Sequence, residues 1–266
     1  MKTRIISSVI MLLIVAPIIF LGGLPFKIFA MAISIIALYE LLKVRKEKKE
    51  MPKLMKILSY LFVLVLIYFS NDYYQANFKM DFRVLSFAFL LFLVPVVLFN
   101  NNKKYNITDA LYLTGAALFL SIGFNSFIII NDFDTKYLLY IAIITMTTDT
   151  FAMVSGKLVG KHKLCEGISP NKTIEGTVGG SVIGTIIASL FYYFVISQSA
   201  NMFIVVGITL FLSLMGQIGD LLFSSIKRYY KVKDFSNLIP GHGGILDRLD
   251  SLVFVALTYL LFMGII

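Results

Sequence analysis

The sequence has only one cysteine, Cys165, and no tryptophan among its 266 residues. A lone cysteine cannot form an intramolecular disulfide, and it cannot build a cysteine-rich metal site. Cys165 is most simply a small residue in a loop. The fold therefore has to be stabilised without covalent cross-links and without a metal held by thiolates.

Charged residues are also scarce, at 15% of the chain, whereas soluble domains carry about 25%. Hydrophobic residues make up 58%, and the mean hydropathy is +0.86. Nine apolar runs are each long enough to cross about 30 Å of hydrocarbon: roughly 4–21, 24–42, 54–70, 83–99, 109–130, 137–155, 176–197, 202–223 and 248–266. The sequence predicts an all-α polytopic membrane protein with about nine transmembrane helices in one membrane domain, 1–266.

Positive charge is unevenly distributed between the two sides that these nine spans define. Of the 24 lysine and arginine residues, the only ones on one side are Lys27, Lys79, Arg83 and Lys136. The positive-inside rule then places the N-terminus in the cytoplasm and the C-terminus outside. The net charge of +9 is interpreted as this orientation signal, and no nucleic-acid partner is expected.

Three polar segments stand out, all at the predicted cytoplasmic ends of spans 6 to 9. They are 147–180, 216–234 and 233–257. Asp149 lies within span 6 and Asp220 near the inner end of span 8, where a carboxylate costs up to about 2.5–3.5 kcal/mol at a helix centre. Such acids usually face a polar cavity, although each alone is also consistent with a hydrogen bond between helices. Any chemistry is therefore expected at the cytoplasmic face.

Two further acids, Asp247 and Asp250, open span 9 and share one helix face because they are three residues apart. Stabilisation of a helix N-terminus is the simpler interpretation of this pair. It does not explain Asp220 at a matching depth. Asp220, Asp247 and Asp250 together offer the oxygen ligands that Mg²⁺ prefers.

Groups suited to phosphate surround these acids in the sequence. The basic set is Lys172, Lys227, Arg228, His242 and Arg248. Gly243 and Gly244 would let backbone N–H groups approach a phosphate closely. Ser169 and Thr173 offer hydroxyls before Glu175 and the start of span 7, where a helix N-terminus favours anions. The combination favours a metal-bound polyphosphate, while His242 is also consistent with a structural histidine in a tight turn.

The stretch "SSIKRYYKVKDFSNLIPGHGGILDRLD", Ser224 to Asp250, closely resembles the signature of the phosphatidate cytidylyltransferase family, the CDP-diacylglycerol synthases. "GKHKL…ISPNKTIEGTVGG", within 160–180, resembles the family's second block, and the nine-span outline agrees over the whole chain. The resemblance implies that CTP and phosphatidate are converted to CDP-diacylglycerol and pyrophosphate with Mg²⁺. A second metal or a monovalent cation is a further possibility.

The resemblance also assigns roles to residues. Asp220 and Asp247 are the expected direct metal ligands, with Asp250 as a further ligand or supporting acid, and Lys227 joins these three as catalytic. Substrate phosphates are expected at Ser169, Lys172, Thr173, Lys227, Arg228, His242, Gly243, Gly244 and Arg248. Asp149 and Glu175 are further candidates. Region 137–266 is expected to carry catalysis and 1–130 to supply packing and a lipid groove, in a homodimer of the bacterial inner membrane.

Two alternatives remain open at this point. One is a CTP-dependent enzyme acting on another lipid, such as a polyprenol kinase or a CDP-archaeol synthase. The other is an ion-coupled transporter, although transporters typically place their sites near the midplane between repeated halves. In this chain the acids lie towards one face and the first half has no counterpart to them, which argues against transport.

Overall fold

The computed structural model describes residues 2–46, 48–69, 82–98 and 104–265, with side chains from Ile6 onward. These residues form nine α-helices, one at each of the nine predicted apolar runs. They are α1 (Lys2–Leu21), α2 (Gly23–Lys46), α3 (Lys53–Phe69), α4 (Phe82–Leu98), α5 (Ile107–Phe133), α6 (Thr135–Val159), α7 (Ile174–Phe191), α8 (Met202–Tyr229) and α9 (Leu246–Tyr259).

Five of these helices are long and apolar enough to cross a membrane. They are α2, α5, α6, α8, and α7 together with the π-helical turn Tyr192–Ile196 that continues it. In contrast, α9 has 14 residues and rises only about 21 Å, less than the hydrocarbon thickness of a bilayer. The chain is an integral membrane protein, while the count of nine spans and the orientation stay predictions.

One element was not predicted. Between α6 and α7 the chain forms an antiparallel hairpin of β1 (Lys163–Cys165) and β2 (Ser169–Thr173). Lys163 pairs with Thr173, and Cys165 pairs with Ser169. The hairpin leads directly into α7, where the Thr173 hydroxyl accepts a hydrogen bond from Gly176 N at 3.1 Å and caps the helix.

The chain divides into two compact units. The first contains Met1–Ile129 and Phe235–Ile245, and the second contains Ile130–Asp234 and Leu246–Ile266. The segment Phe235–Ile245, called here the glycine loop, therefore belongs with the N-terminal helices and not with α8 and α9, which flank it in sequence. The predicted division into 1–130 for packing and 137–266 for catalysis stays a prediction.

Small and hydroxyl-bearing residues hold the helices of the second unit together. A buried chain of hydrogen bonds links α6, α8 and α7. Thr148 Oγ1 lies 2.8 Å from Ser213 Oγ, Ser213 Oγ donates to Ser181 Oγ at 3.2 Å, and Gln217 Nε2 donates to the same oxygen at 2.7 Å. Between apolar helices in lipid, close approach and such bonds replace the hydrophobic driving force.

In the first unit, the carboxyl group of Asp109 is fully buried near the start of α5. It accepts hydrogen bonds from Arg45 and Lys49, and the Arg45 guanidinium also lies 4.4 Å from the centre of the Tyr112 ring. Each of these cations is partly buried against its partner. This ion-pair cluster ties the basic end of α2 to α5.

Candidate active site

Asp220 on α8 faces a lysine from the β-hairpin. Lys172 Nζ lies 2.6 Å from Asp220 Oδ2, and Ser224 Oγ donates to Asp220 Oδ1 at 3.4 Å. The Lys172 ammonium makes no well-aligned hydrogen bond within the part of the chain that the structure describes. The pair is therefore held chiefly by charge, with the ammonium nitrogen buried against the carboxyl group.

A second pair joins α8 to α9. Lys227 Nζ donates to Asp247 Oδ1 at 2.7 Å, with side-chain exposures of 11% and 4%. At such low exposure each charge depends on the other, because an ion left alone in a low-dielectric environment is strongly destabilising. The signature residues Lys227 and Asp247 are thus brought together, although 19 positions separate them in sequence.

Two more acids belong to the same set of charges. Asp149 on α6 interacts electrostatically with Asp220 and Lys172, and Asp250 interacts with Asp220, Lys227 and Asp149. Asp250 Oδ1 also accepts a hydrogen bond from Ser251 N at 2.8 Å. We call the six residues the carboxyl–lysine cluster: Asp149, Asp220, Asp247, Asp250, Lys172 and Lys227.

The chemistry of the cluster fits a divalent cation. Its four carboxyl groups outnumber its two ammonium groups. The atoms that could bind a metal ion are carboxyl oxygens, the ligand type that Mg²⁺ prefers. The buried hydroxyl of Ser251, next to Asp250 in sequence, interacts with the carboxyl group of Asp149 and adds another oxygen. Within those residues, no three acidic or histidine side chains converge closely enough to hold a metal ion. The fit thus rests on charge and donor type.

The glycine loop of the first unit contains a tight turn. Ile239 N donates to Gly243 O at 2.8 Å, and the N–H groups of His242 and Gly243 donate to Ile239 O at 2.9 and 3.1 Å. Gly241 and Gly243 have φ of 78° and 84°, which glycine adopts without strain. In this conformation the N–H groups of His242 and Gly243 are used inside the loop.

His242 is held by hydroxyls of α1. Its Nδ1 lies 2.8 Å from Ser7 Oγ, and its Nε2 lies 3.1 Å from Ser8 Oγ. Ser7 Oγ also donates its one proton to Pro240 O at 3.1 Å, so it accepts from Nδ1–H. In the neutral imidazole, Nε2 is then the acceptor for Ser8. These contacts agree with the structural interpretation of His242, and its role towards substrate stays a prediction.

The remaining predicted residues lie around the hairpin and at the start of α9. Glu175 binds the hairpin through His162, whose Nδ1 lies 2.6 Å from its Oε1, and through Lys161 N at 3.1 Å. Arg228 Nε donates to Ile168 O at 3.2 Å. Thr173 caps α7 as described, and Ser169 begins β2. Gly244 is buried in the glycine loop, and Arg248 is exposed in the first turn of α9.

Four side chains at these sites were not predicted: Ser7 and Ser8 on His242, Ser224 on Asp220, and Ser251 beside Asp250. Serines in apolar helices are common in membrane proteins, and spacing alone does not distinguish them from packing residues. Proximity to Asp250 was the only signal that could have drawn attention to Ser251.

Fold and site together define an integral membrane protein in which α6, α8, α9 and the β-hairpin supply a partly buried cluster of acids and lysines suited to phosphate chemistry. The chain belongs to the cytidylyltransferase family, whose family model matches residues 2–266, and it is accordingly a nucleotidyltransferase. It is 39% identical over 255 residues to a phosphatidate cytidylyltransferase of Staphylococcus aureus (strain COL), covering 96% of both chains. It is 37% identical over 258 residues to that of Bacillus subtilis (strain 168), covering 96% of this chain and 94% of the relative.

Proposed function

We propose that this chain transfers the cytidylyl group of CTP to phosphatidate, giving CDP-diacylglycerol and pyrophosphate. The relatives that carry the name phosphatidate cytidylyltransferase cover nearly the whole chain. The observation that carries the proposal for this chain is the carboxyl–lysine cluster, because it contains the signature residues Lys227, Asp247 and Asp250 together with Lys172 of the second block.

In the proposed reaction, a phosphate oxygen of phosphatidate attacks the α-phosphorus of CTP in line. A new P–O bond forms, the bond between the α-phosphorus and its bridging oxygen breaks, and pyrophosphate leaves with the bonding electrons. The nucleophile is already an anion, so no general base is required of this site. The main barrier is the repulsion between two polyanions, and catalysis consists chiefly of positioning and charge neutralisation.

Lys172 and Lys227 suit this task. Each ammonium now lies against a carboxyl group, at 2.6 and 2.7 Å, and each can exchange that partner for a substrate phosphate. Arg228 follows Lys227 in sequence and Arg248 follows Asp247, and both exposed side chains extend the cationic surface. The KM values of lysine variants for CTP and for phosphatidate assign each cation to one of the two substrates.

Asp220 and Asp247 are the proposed Mg²⁺ ligands, with Asp250 and Asp149 as further ligands or supporting acids. Bound Mg²⁺ would neutralise charge on the triphosphate and stabilise the departing pyrophosphate. A second metal or a monovalent cation is compatible with the excess of carboxyl groups.

We also propose that the cluster faces the cytoplasm from the bacterial inner membrane. CTP would then arrive from the cytosol and phosphatidate from the bilayer, whose headgroups lie at the same depth. The homodimer that the family resemblance implies is part of this proposal, and light scattering of the detergent-solubilised protein tests it. A transporter does not agree with the family to which the chain belongs.

The experiment uses the purified full chain in detergent with CTP, phosphatidate and Mg²⁺. Lipid-linked cytidine and pyrophosphate should form in equal amounts and should disappear with a chelator. Asp247→Ala should lower the rate by at least about a hundredfold. Product from a polyprenol or an archaeal lipid, but none from phosphatidate, would replace the assigned acceptor. Full activity in Asp247→Ala would remove Asp247 from the site.

A further inference from the structure

Glu40 lies in α2 of the first unit, and its surface is completely buried. A buried carboxyl group is stable only where hydrogen-bond donors satisfy it. Glutamate is rarely found at such depth without a specific partner. The residues around Glu40 therefore indicate what this side chain holds in place.

Two hydrogen bonds connect Glu40 with the glycine loop. Ser236 Oγ donates to Glu40 Oε1 at 2.6 Å, and Ile245 N donates to the same oxygen at 2.9 Å. Ser236 is the second residue of the loop and Ile245 is its last. One oxygen atom thus joins the beginning of the loop to its end, and Ile245 directly precedes Leu246, the first residue of α9.

Gly244 gives an independent indication of the same contact. A Cβ atom at this position would lie 2.5 Å from Glu40 Oε1 and 2.7 Å from Oε2, closer than carbon and oxygen can approach. Unlike Gly241 and Gly243, Gly244 is not among the glycines with positive φ. Its lack of a side chain is therefore explained by space: the Glu40 carboxyl group lies where a side chain would be.

We propose that Glu40 is a positioning residue of the cytidylyl transfer, which holds the glycine loop in its reactive conformation from the fold's N-terminal half. This inference rests on the proposed function. Glu40 acts through Ser236 and Ile245. Its carboxyl group binds both ends of the loop, so that the turn Ile239–Gly243 and His242 keep one conformation. Preorganised loops of this kind raise the rate because misplacement of binding groups by about 1 Å can cost about a hundredfold.

The test compares Glu40→Met with Glu40→Gln. Both substitutes have nearly the length of glutamate, but only glutamine keeps an oxygen that can accept from Ser236 and Ile245. Hydrogen–deuterium exchange by mass spectrometry then measures the amides of the glycine loop in the full chain, and initial rates give kcat and KM. We expect Glu40→Met to exchange faster throughout the loop and to lose at least about tenfold in kcat. Glu40→Gln should stay within about threefold of the unsubstituted chain.

Asp109→Asn is the matched control, because Asp109 is an equally buried acid of the same unit whose partners Arg45 and Lys49 lie outside the loop. It should leave exchange in the loop unchanged. Peptides from the β-hairpin serve as an internal reference and should exchange alike in all variants. If Glu40→Met does not fold, Ser236→Ala removes one donor from the loop side and should give a smaller change of the same kind.

Unchanged exchange of the loop in Glu40→Met would overturn the proposal. So would faster exchange with unchanged kcat, because the loop would then be held for stability alone. Equal loss in Glu40→Gln and Glu40→Met would contradict the role of the accepting oxygen. The exchange measurement does not depend on turnover, so a failure of the proposed function, seen as no lipid-linked cytidine from the unsubstituted chain, is distinguished from a failure of this inference.

Discussion

At the scale of single residues, Lys172 and Asp220 form a pair whose contribution to stability is small. Their side chains are 22% and 27% exposed, and ion pairs with access to water contribute about 1 kcal/mol or less. An ion pair that contributes so little to folding stability is better explained by a role in binding substrate. Under the proposed function, the ammonium would bind a substrate phosphate and the carboxyl group would bind a cation.

The double variant Lys172→Asp with Asp220→Lys separates the contribution of this ion pair to stability from its proposed role in catalysis. Because the double variant keeps an ion pair with reversed charges, its melting temperature should be near that of the unsubstituted chain. Transfer activity should stay at least about a hundredfold lower, because the cation and the acid are then on the wrong elements. Circular dichroism gives the melting temperature in this tryptophan-free chain, and initial rates give the activity. Activity close to that of the unsubstituted chain in this double variant would mean that the two residues form an ion pair and bind neither substrate nor metal.

Lys227 and Asp247 should respond differently, because they are buried. In Lys227→Met the Asp247 carboxylate loses its buried partner, which should cost about 3–5 kcal/mol of unfolding free energy. If Asp247 is a metal ligand, Mg²⁺ can replace the missing ammonium, and binding to the folded state stabilises it. Mg²⁺ should therefore raise the melting temperature of Lys227→Met more than that of the unsubstituted chain.

Asp247→Ala is the control for this measurement, since it removes the proposed ligand and should lose most of the Mg²⁺-dependent stabilisation. Equal shifts in Lys227→Met and Asp247→Ala would place the metal elsewhere. Calcium and potassium chloride at matched ionic strength separate specific binding from screening.

At the scale of elements, α6 and α7 approach each other through glycines. A Cβ at Gly184 would lie 2.6 Å from Thr148 Oγ1 and 3.1 Å from Thr148 Cα, so the backbones themselves would have to move. Thr148 directly precedes Asp149 of the cluster. The contact between these two helices therefore affects both packing and the position of an acid.

Gly184→Ala is predicted to cost about 1–3 kcal/mol of unfolding free energy, as overpacking usually does, and to lower transfer activity as well. Gly207→Ala on α8 is the matched control, because a Cβ there meets nothing within 4 Å. This second variant should be as stable as the unsubstituted chain or slightly more so, since alanine favours a helix over glycine. Melting temperatures and initial rates of the two variants check the prediction, and equal behaviour would contradict it.

The helices were predictable from sequence and the hairpin was not. Runs of about twenty apolar residues indicate a helix directly, and each predicted run contains one. The strands Lys163–Cys165 and Ser169–Thr173 are three and five residues long, too short for an alternating pattern to be recognised. The hairpin matters for the site because it carries Lys172.

The residues of the carboxyl–lysine cluster were predictable by type and less so by partner, while their role in a site stays a prediction. Depth in an apolar helix identified Asp149 and Asp220, and the signature identified Lys227 and Asp247. Nothing in the spacing tells which lysine meets which acid, because the long lysine side chain reaches across helices. Glu40 was missed for a related reason: its partner Ser236 is distant in sequence, and a lone acid beside a basic run is usually solvent-exposed.

At the scale of the whole molecule, the distribution of lysine and arginine predicts the orientation, and the lone cysteine makes this prediction measurable. Cys165 lies in β1 of the hairpin, partly exposed, on the predicted cytoplasmic side. A membrane-impermeant maleimide should label it in inverted vesicles and leave it unlabelled in right-side-out spheroplasts. The same distribution predicts that the carboxyl–lysine cluster faces the cytosol, where CTP is present, so this experiment tests the site's access as well as the topology.

Ser199→Cys, made in a Cys165→Ser chain, provides the opposite control. Ser199 is exposed between the π-helical turn and α8, on the predicted outer side. It should react in spheroplasts and stay protected in sealed inverted vesicles, while Cys165→Ser alone should not react in either. Labelling of Cys165 from the outside would invert the topology and leave the cluster without access to cytosolic CTP. Labelling of both cysteines from one side would mean that α7 does not cross the membrane, and the number of spans would have to be revised.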